Sequence, residues 1–268
     1  MTGSLVTARR RFHLMARLLT LCGAVMVALS ATPLALWVYS LWLGLGGVWF
    51  GLHVLRGPRR TGAVVAGVAF AVLSVCLVVF EYPHHAFPAP PSMSAETVWV
   101  IGDSLSTGIS PAERPWPSLL GERLSGVSVR NLAIAGATSG SAVSQARRIG
   151  RGEGLVLLEI GGNDLLGPGG ADDFAERLET LLEEVQGASR RLVMFELPLP
   201  PFHGSYGRTQ RKLARRYDAI LIPRRCLASI LMEPAMTVDG IHLSPRGHQA
   251  LSQSVAQWLA SGREAGGL

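Results

Sequence analysis

A chain of 268 residues with a formal charge of +6 is long enough for one or two domains. Its charge is unevenly spread: residues 1–80 hold seven Arg (Arg9, Arg10, Arg11, Arg17, Arg56, Arg59, Arg60) and no acid, while the remainder sets 18 Lys plus Arg against 19 Asp plus Glu. That near-neutral remainder gives no support for nucleic-acid binding, and the lack of Cys-x-x-Cys, His-Glu-x-x-His and P-loop patterns removes zinc, redox and nucleotide motifs of those kinds.

Between Arg17 and Arg56 lie 38 residues with no charged side chain, His53 taken as neutral. One membrane helix needs about 20, so this run accommodates two, folded at Ser30-Ala-Thr-Pro33. Thr61 to Phe80 is a third uncharged run of similar length. The sequence therefore predicts a membrane region over residues 1–80 with about three transmembrane helices, near 18–32, 34–55 and 61–80. Both Arg clusters fall on one side of such an arrangement. By the positive-inside rule that side is cytoplasmic, and everything after Phe80 emerges outside the inner or plasma membrane. A cleaved signal peptide over residues 1–31 competes for the first span and leaves that placement unchanged.

Residues 81–96 (EYPHHAFPAPPSMSAE) are rich in proline and read as an extended spacer reaching up to roughly 45 Å at ~3.1 Å per residue, with Tyr82 at the membrane interface. His84-His85 within it reads as a solvated pair. Cys226 is the single cysteine beyond the membrane region, so no disulfide forms within the C-terminal domain.

Residues 97–262, before a short tail at 263–268, alternate apolar runs with amphipathic patterns. Strands are predicted at Val98–Ile101, Val127–Leu132, Leu155–Ile160, Leu192–Leu197 and Ile220–Ile222. Helices are predicted near Trp116–Leu124, Ser141–Ile149, Asp172–Val185, Arg208–Tyr217 and Pro245–Leu259. This alternation implies an α/β domain, a flavodoxin-like three-layer parallel sheet with helices on both faces. The basic helix carrying Arg208, Arg211, Lys212, Arg215 and Arg216 reads either as a solvated face or as a surface for anionic lipid or an acidic polymer.

Four features fall where such a fold gathers chemistry, at the C-terminal ends of strands. Ser104, after Gly102-Asp103, ends the first strand as a nucleophile or as a helix N-cap. Gly136 lies in the run out of the second and Gly161-Gly162-Asn163-Asp164 ends the third. Asp239 and His242, three residues apart, precede the last helix. Together they supply the parts acyl transfer needs. Ser104 attacks, His242 serves as base and then acid, and Asp239 fixes the imidazole tautomer. The Ser104 and Gly136 N–H groups with the Asn163 amide then receive the oxyanion. His248 is a rival base without an acid three positions upstream. The Gly-x-Ser-x-Gly elbow of the α/β-hydrolases is absent.

Gly102-Asp103-Ser104, Gly136 within Asn-Leu-Ala-Ile-Ala-Gly-Ala-Thr, Gly161-Gly162-Asn163-Asp164 and Asp239-Gly-Ile-His242 resemble, in order and approximate spacing, the blocks of the SGNH (GDSL) hydrolase family. The resemblance covers roughly residues 96–262 and is greatest to the thioesterase/arylesterase/lysophospholipase branch. It implies Ser104 as nucleophile, Gly136 and Asn163 as oxyanion residues, and Asp239 with His242 as the rest of the triad. Ala137 departs from that branch, which usually carries a polar residue before the threonine, and the membrane spans depart from its single-domain plan. The expected activity is hydrolysis of a carboxylic ester or thioester in a lipid, an acylated glycan or a small molecule, without cofactor or metal. Acyl transfer to, or deacetylation of, an envelope polysaccharide is a second reading. A non-catalytic envelope binding module is a third.

Overall fold

The computed structural model describes residues 18, 21–25, 27, 30–32, 34–56, 61–91, 97–110, 113–187, 189–201 and 203–265. They form two compact units, one comprising the described residues up to His84 with Pro200–Gly204, the other the rest.

The first unit is built on helices α1 (Leu36–Arg56) and α2 (Thr61–Glu81). Its inside holds Val27, Trp42, Phe70 and Leu77 together with a few polar groups, and many of its other aliphatic groups face outward. Ser74 and Glu81 are buried, whereas Val64, Val65, Val68, Val72, Val75 and Val79 all face out. Inside, Trp42 Nε1 donates to Ser74 Oγ at 2.9 Å, Ser74 Oγ donates to the Phe70 carbonyl at 2.8 Å, and Trp42 stacks on Phe70. Thr32 Oγ1 donates to the Glu81 carboxylate.

Thr61–His85 is the one helical run, among the described residues, long and apolar enough to cross a membrane. The apolar part of α1, Trp37–Leu52, is shorter. At 1.5 Å per residue it covers roughly 24 Å, less than a hydrocarbon core of about 30 Å. Of the first predicted span, 18–32, residues 19, 20, 26, 28 and 29 lie outside the described residues, as do Arg9, Arg10, Arg11, Arg17, Arg59 and Arg60. Of the about three spans expected, one helix of spanning length stands among the described residues.

The second unit carries β1 (Thr97–Gly102), α3 (Ser104–Thr107), α4 (Trp116–Arg123), β2 (Ser128–Asn131), α5 (Val143–Arg147), β3 (Gly154–Glu159), α6 (Gly162–Leu166), α7 (Ala171–Val185), β4 (Arg190–Phe195), α8 (Gly204–Arg216), β5 (Ile220–Ile222), α9 (Arg225–Leu231) and α10 (Pro245–Ala265). Every strand pairing is parallel, in the order β2-β1-β3-β4-β5, the doubly wound arrangement expected. β3 is buried along its whole length because its alternate residues serve two cores. Leu155 and Leu157 join Trp116, Leu120, Leu251, Val255 and Leu259 on one face. Val156 and Leu158 join Phe174, Leu178, Leu181 and Leu213 on the other. The β1–β3 register sets Gly102 beside Glu159, so the turns that follow both strands emerge as neighbours.

Two expectations change. The segment after His85 is not a free spacer: Arg225 lies 4.9 Å over the Phe87 ring, Trp258 Nε1 donates to the Pro88 carbonyl at 2.8 Å, and Pro90 abuts Gly262. Proline-rich composition favours extension, but an indole donor and a guanidinium hold this segment on α9 and α10. The basic helix α8 is only partly a solvated face. Arg211 is buried, bonded at 2.6 Å to the buried Glu196 carboxylate, and Arg216 pairs with Glu179.

Candidate active site

The nucleophile turn is fixed by what surrounds it. Gly102 closes β1 where no side chain fits, since an added Cβ would lie 2.6 Å from Ser106 Oγ and 2.9 Å from the Glu159 carbonyl. The buried Gln145 clamps its backbone, accepting from Gly102 N and donating to Gly102 O, each at 3.0 Å. Asp103 then caps α3, its Oδ1 accepting from Leu105 N at 3.0 Å. The capping role left open for Ser104 thus belongs to Asp103. Ser104 is the first helical residue, half-buried at the sheet edge.

Below this turn lie two buried carboxyl groups. Ser106 Oγ donates to Glu159 Oε2 at 2.8 Å while receiving Trp116 Nε1 at 3.1 Å. Burial, then the Asp103 charge, raise the Glu159 carboxyl well above its ordinary range. Burial also pushes Asp103 up to about 6, against the opposing pull of the Leu105 N–H and the His242 ring.

Asn163 bridges the other blocks. Its Nδ2 donates to Asp103 Oδ2 at 3.1 Å and to the Ala137 carbonyl at 3.0 Å. The residue after Gly136 therefore contributes through its backbone, which makes the departure at Ala137 harmless. Gly136 is exposed with φ +75°, in the left-handed region that glycine adopts without strain. Asn131 Nδ2 donates to the Ser106 carbonyl at 2.7 Å, and buried Asp164 accepts Ser139 N at 2.7 Å and Ser139 Oγ at 2.8 Å. These bonds lock the second block to the first and third.

Asp239 and His242 share a tight turn closed by Val238 N to the His242 carbonyl at 2.9 Å, with Gly240 at φ +87°. Asp239 Oδ1 accepts His242 N at 2.8 Å and Ile241 N at 3.0 Å, and Oδ2 meets His242 Nδ1 at 2.6 Å. The His242 backbone N–H, then the ring, hold the Asp239 carboxyl down at about 2. This carboxylate is ionised at neutral pH, and it leaves the imidazole Nε2 as the ring nitrogen available for proton transfer. His248, the rival base, is buried with Nδ1 accepting Trp116 N at 3.2 Å, which makes it a packing residue. Cys226 is also buried, its thiol pushed up to about 11 by burial, and offers no reactive thiolate.

Sequence reasoning overlooked Asp103, Gln145, Glu159 and Asp164 as parts of this site. The first and last stand inside the quoted motifs, which was the signal available for them.

A parallel α/β sheet carrying a serine at one strand end and an Asp–His pair before its last helix defines a hydrolase of the GDSL/SGNH type, acting on ester bonds. Residues 100–250 match the model of the GDSL-like Lipase/Acylhydrolase family, and the chain belongs to that family. It is 30% identical over 181 residues to an arylesterase of Vibrio mimicus, covering 63% of this chain and 90% of that enzyme. It is 29% identical to thioesterase 1/protease 1/lysophospholipase L1 of Escherichia coli, covering 62% and 83%. The fold is that of the TesA crystal structure, with TM-score 0.55, 24% identity, and 62% of this chain matched to 99% of that one.

Proposed function

We propose that the chain is a membrane-anchored serine esterase that cleaves carboxylic esters or thioesters through an acyl-enzyme on the outer side of the membrane. The observation that carries the chemistry is the Asp239 Oδ2–His242 Nδ1 contact of 2.6 Å in the turn before the last helix, with Ser104 at the C-terminal end of β1. His242 Nε2 takes the Ser104 hydroxyl proton as Oγ attacks the acyl carbon, and the ionised Asp239 stabilises the imidazolium. The Ser104 and Gly136 N–H groups and Asn163 receive the oxyanion. Both Asn163 amide hydrogens already serve Asp103 and Ala137, so the oxyanion competes with those acceptors. The collapsing intermediate expels an alcohol or thiol that His242 protonates, and water repeats the sequence to release the acid.

Anchoring rests on the apolar run Thr61–His85, whose Val64, Val65, Val68, Val72, Val75 and Val79 face outward while Ser74 and Glu81 lie inside. The side of the membrane rests on the Arg-rich, acid-free N-terminal third. Ser104→Ala is expected to reduce hydrolysis of p-nitrophenyl esters by ~10⁴-fold or more and to abolish fluorophosphonate labelling. A Ser104→Ala chain that kept the wild-type rate would overturn the catalytic assignment.

A further inference from the structure

Burial removes His248 as a base, yet its ring does something that an aliphatic side chain in the same place would not. Helix α4 starts behind Pro115, which offers no side-chain cap, and its second residue is Pro117. The Trp116 N–H is therefore the first helical donor in need of an acceptor from outside, and His248 Nδ1 accepts it at 3.2 Å. A ring nitrogen that accepts carries no proton, so the proton of the neutral ring sits on Nε2. That atom is buried and makes no hydrogen bond among the described residues, the Glu113 carboxylate lying 3.8 Å away. Burial holds the imidazole below its ordinary pKa, in keeping with a neutral ring. A buried N–H left unbonded is costly, so packing alone would favour leucine here. What the imidazole adds is the acceptor.

That acceptor joins the two sides of the site. On one side, Trp116 Nε1 donates to Ser106 Oγ at 3.1 Å, two residues after Ser104, and Ser106 Oγ donates to the Glu159 carboxyl. On the other, the first turn of α10 is fastened to the segment that carries the base. Ser244 N donates to the Met236 carbonyl at 2.8 Å, His248 N donates to the Ser244 carbonyl at 2.9 Å, and Thr237 pairs with Leu243 across the Asp239–His242 turn. We propose that His248 is a positioning residue: through Trp116 and Ser106 it fixes the turn of the base, His242, against the turn of the nucleophile, Ser104. The proposal rests on the esterase reading above. The bonds that Asp239 makes stay within its own exposed turn, so they orient the imidazole without placing it relative to Ser104. A strut from outside that turn supplies the placement. A second tie between the same helices, Arg123 Nε to Ser252 Oγ at 3.0 Å, lies farther along both.

The test measures kcat and KM for p-nitrophenyl butyrate with the full chain in detergent, well below each variant's melting temperature. His248→Leu, which fills the site without an acceptor, is expected to lower kcat by about 10²-fold and to leave KM within about twofold. His248→Asn sets an amide oxygen near the place of Nδ1 and is expected to recover most of that loss, a rescue that mere filling of the core does not predict. Trp116→Phe removes the indole donor to Ser106 and should also lower kcat. Combined with His248→Leu it should add little, since a strut is broken only once. Ser252→Ala cuts the other tie between the two helices and should leave kcat where it was. Equal turnover of the Leu and Asn chains, losses that multiply in the double variant, or a Ser252→Ala loss as large as that of His248→Leu overturns the proposal. If His248→Leu does not fold, a wild-type kcat in Trp116→Phe overturns it equally. A wild-type chain that cleaves no ester sinks the esterase reading and the strut with it, whereas cleavage that none of these variants slows sinks the strut alone.

Discussion

The two halves of the site are built in opposite ways. On the nucleophile side, Asp103 and Glu159 are buried and held up by desolvation, Asp103 accepting from Leu105 N and Asn163 Nδ2 and Glu159 from Ser106 Oγ, which Trp116 Nε1 holds in turn. On the base side, Asp239 is solvent-exposed and held down by two backbone N–H groups and an imidazole. A nucleophile must sit within fractions of an ångström of its target, so its turn is part of the core. The base needs only a tautomer and a direction, and a short surface turn supplies both. Stability and activity should therefore be linked on the first side and separable on the second.

The largest expected effect is on the base side. Asp239→Asn keeps an oxygen for the backbone N–H groups but loses the charge that selects the His242 tautomer. It should lower kcat by ~10⁴-fold while leaving the melting temperature where it was. Equal losses of activity and melting temperature would show that this turn, too, is structural. On the nucleophile side, Gly102→Ala forces a methyl group against Ser106 Oγ and the immovable Glu159 carbonyl. The overpacking should cost about 3 kcal/mol, read as a lowered melting temperature together with lost activity. A chain that kept its stability but lost turnover would break the proposed linkage.

The same contrast explains what could be read from the sequence. The inner strands β1, β3 and β4 were legible because parallel strands covered on both faces read as apolar runs, whereas the edge strands β2 and β5 are short and only partly covered. Ser104, Asp239 and His242 were legible because each carries its chemistry within a few residues of a motif. Helices α3, α6 and α9 were not, since four to seven residues hold too little periodicity to register. The start of α8 was placed at Arg208 rather than Gly204 because Gly-Ser-Tyr-Gly resembles a loop; Tyr206 packs on Phe174 and donates to the Gly169 carbonyl, and this tertiary contact overrides propensity. Gln145, Glu159 and Ser139 support the site through bonds to residues 25 to 53 positions away, which no local pattern encodes. The docked segment at Phe87–Pro88 was missed for the same reason, its partners being Arg225 and Trp258.

The smallest effect expected is one of pH on stability, and it sharpens the comparison most. Asp103 titrates at about 6 in the folded chain against 3.8 ordinarily, so between those values the folded state holds a proton that the unfolded state has lost. Stability therefore declines as pH rises from ~4 to ~6, by up to about 3 kcal/mol from this group, and Glu159 adds in the same direction. Asp239 has the opposite sign: its contribution is full above ~4 and fades as pH falls toward 2, where solvent screening keeps it small. Asp103→Asn retains an acceptor for Leu105 N but removes the buried ionisation. It should flatten the decline between pH 4 and 6 and raise the melting temperature at pH 7, while weakening the hold on Asn163 and lowering kcat by about tenfold. Thermal unfolding of the full chain in detergent at pH 4, 5, 6 and 7 reads the slope directly. If the variant's stability fell with pH as steeply as the wild type's, Asp103 would not be the buried ionisation beneath the nucleophile, and Glu159 would have to carry that strain alone.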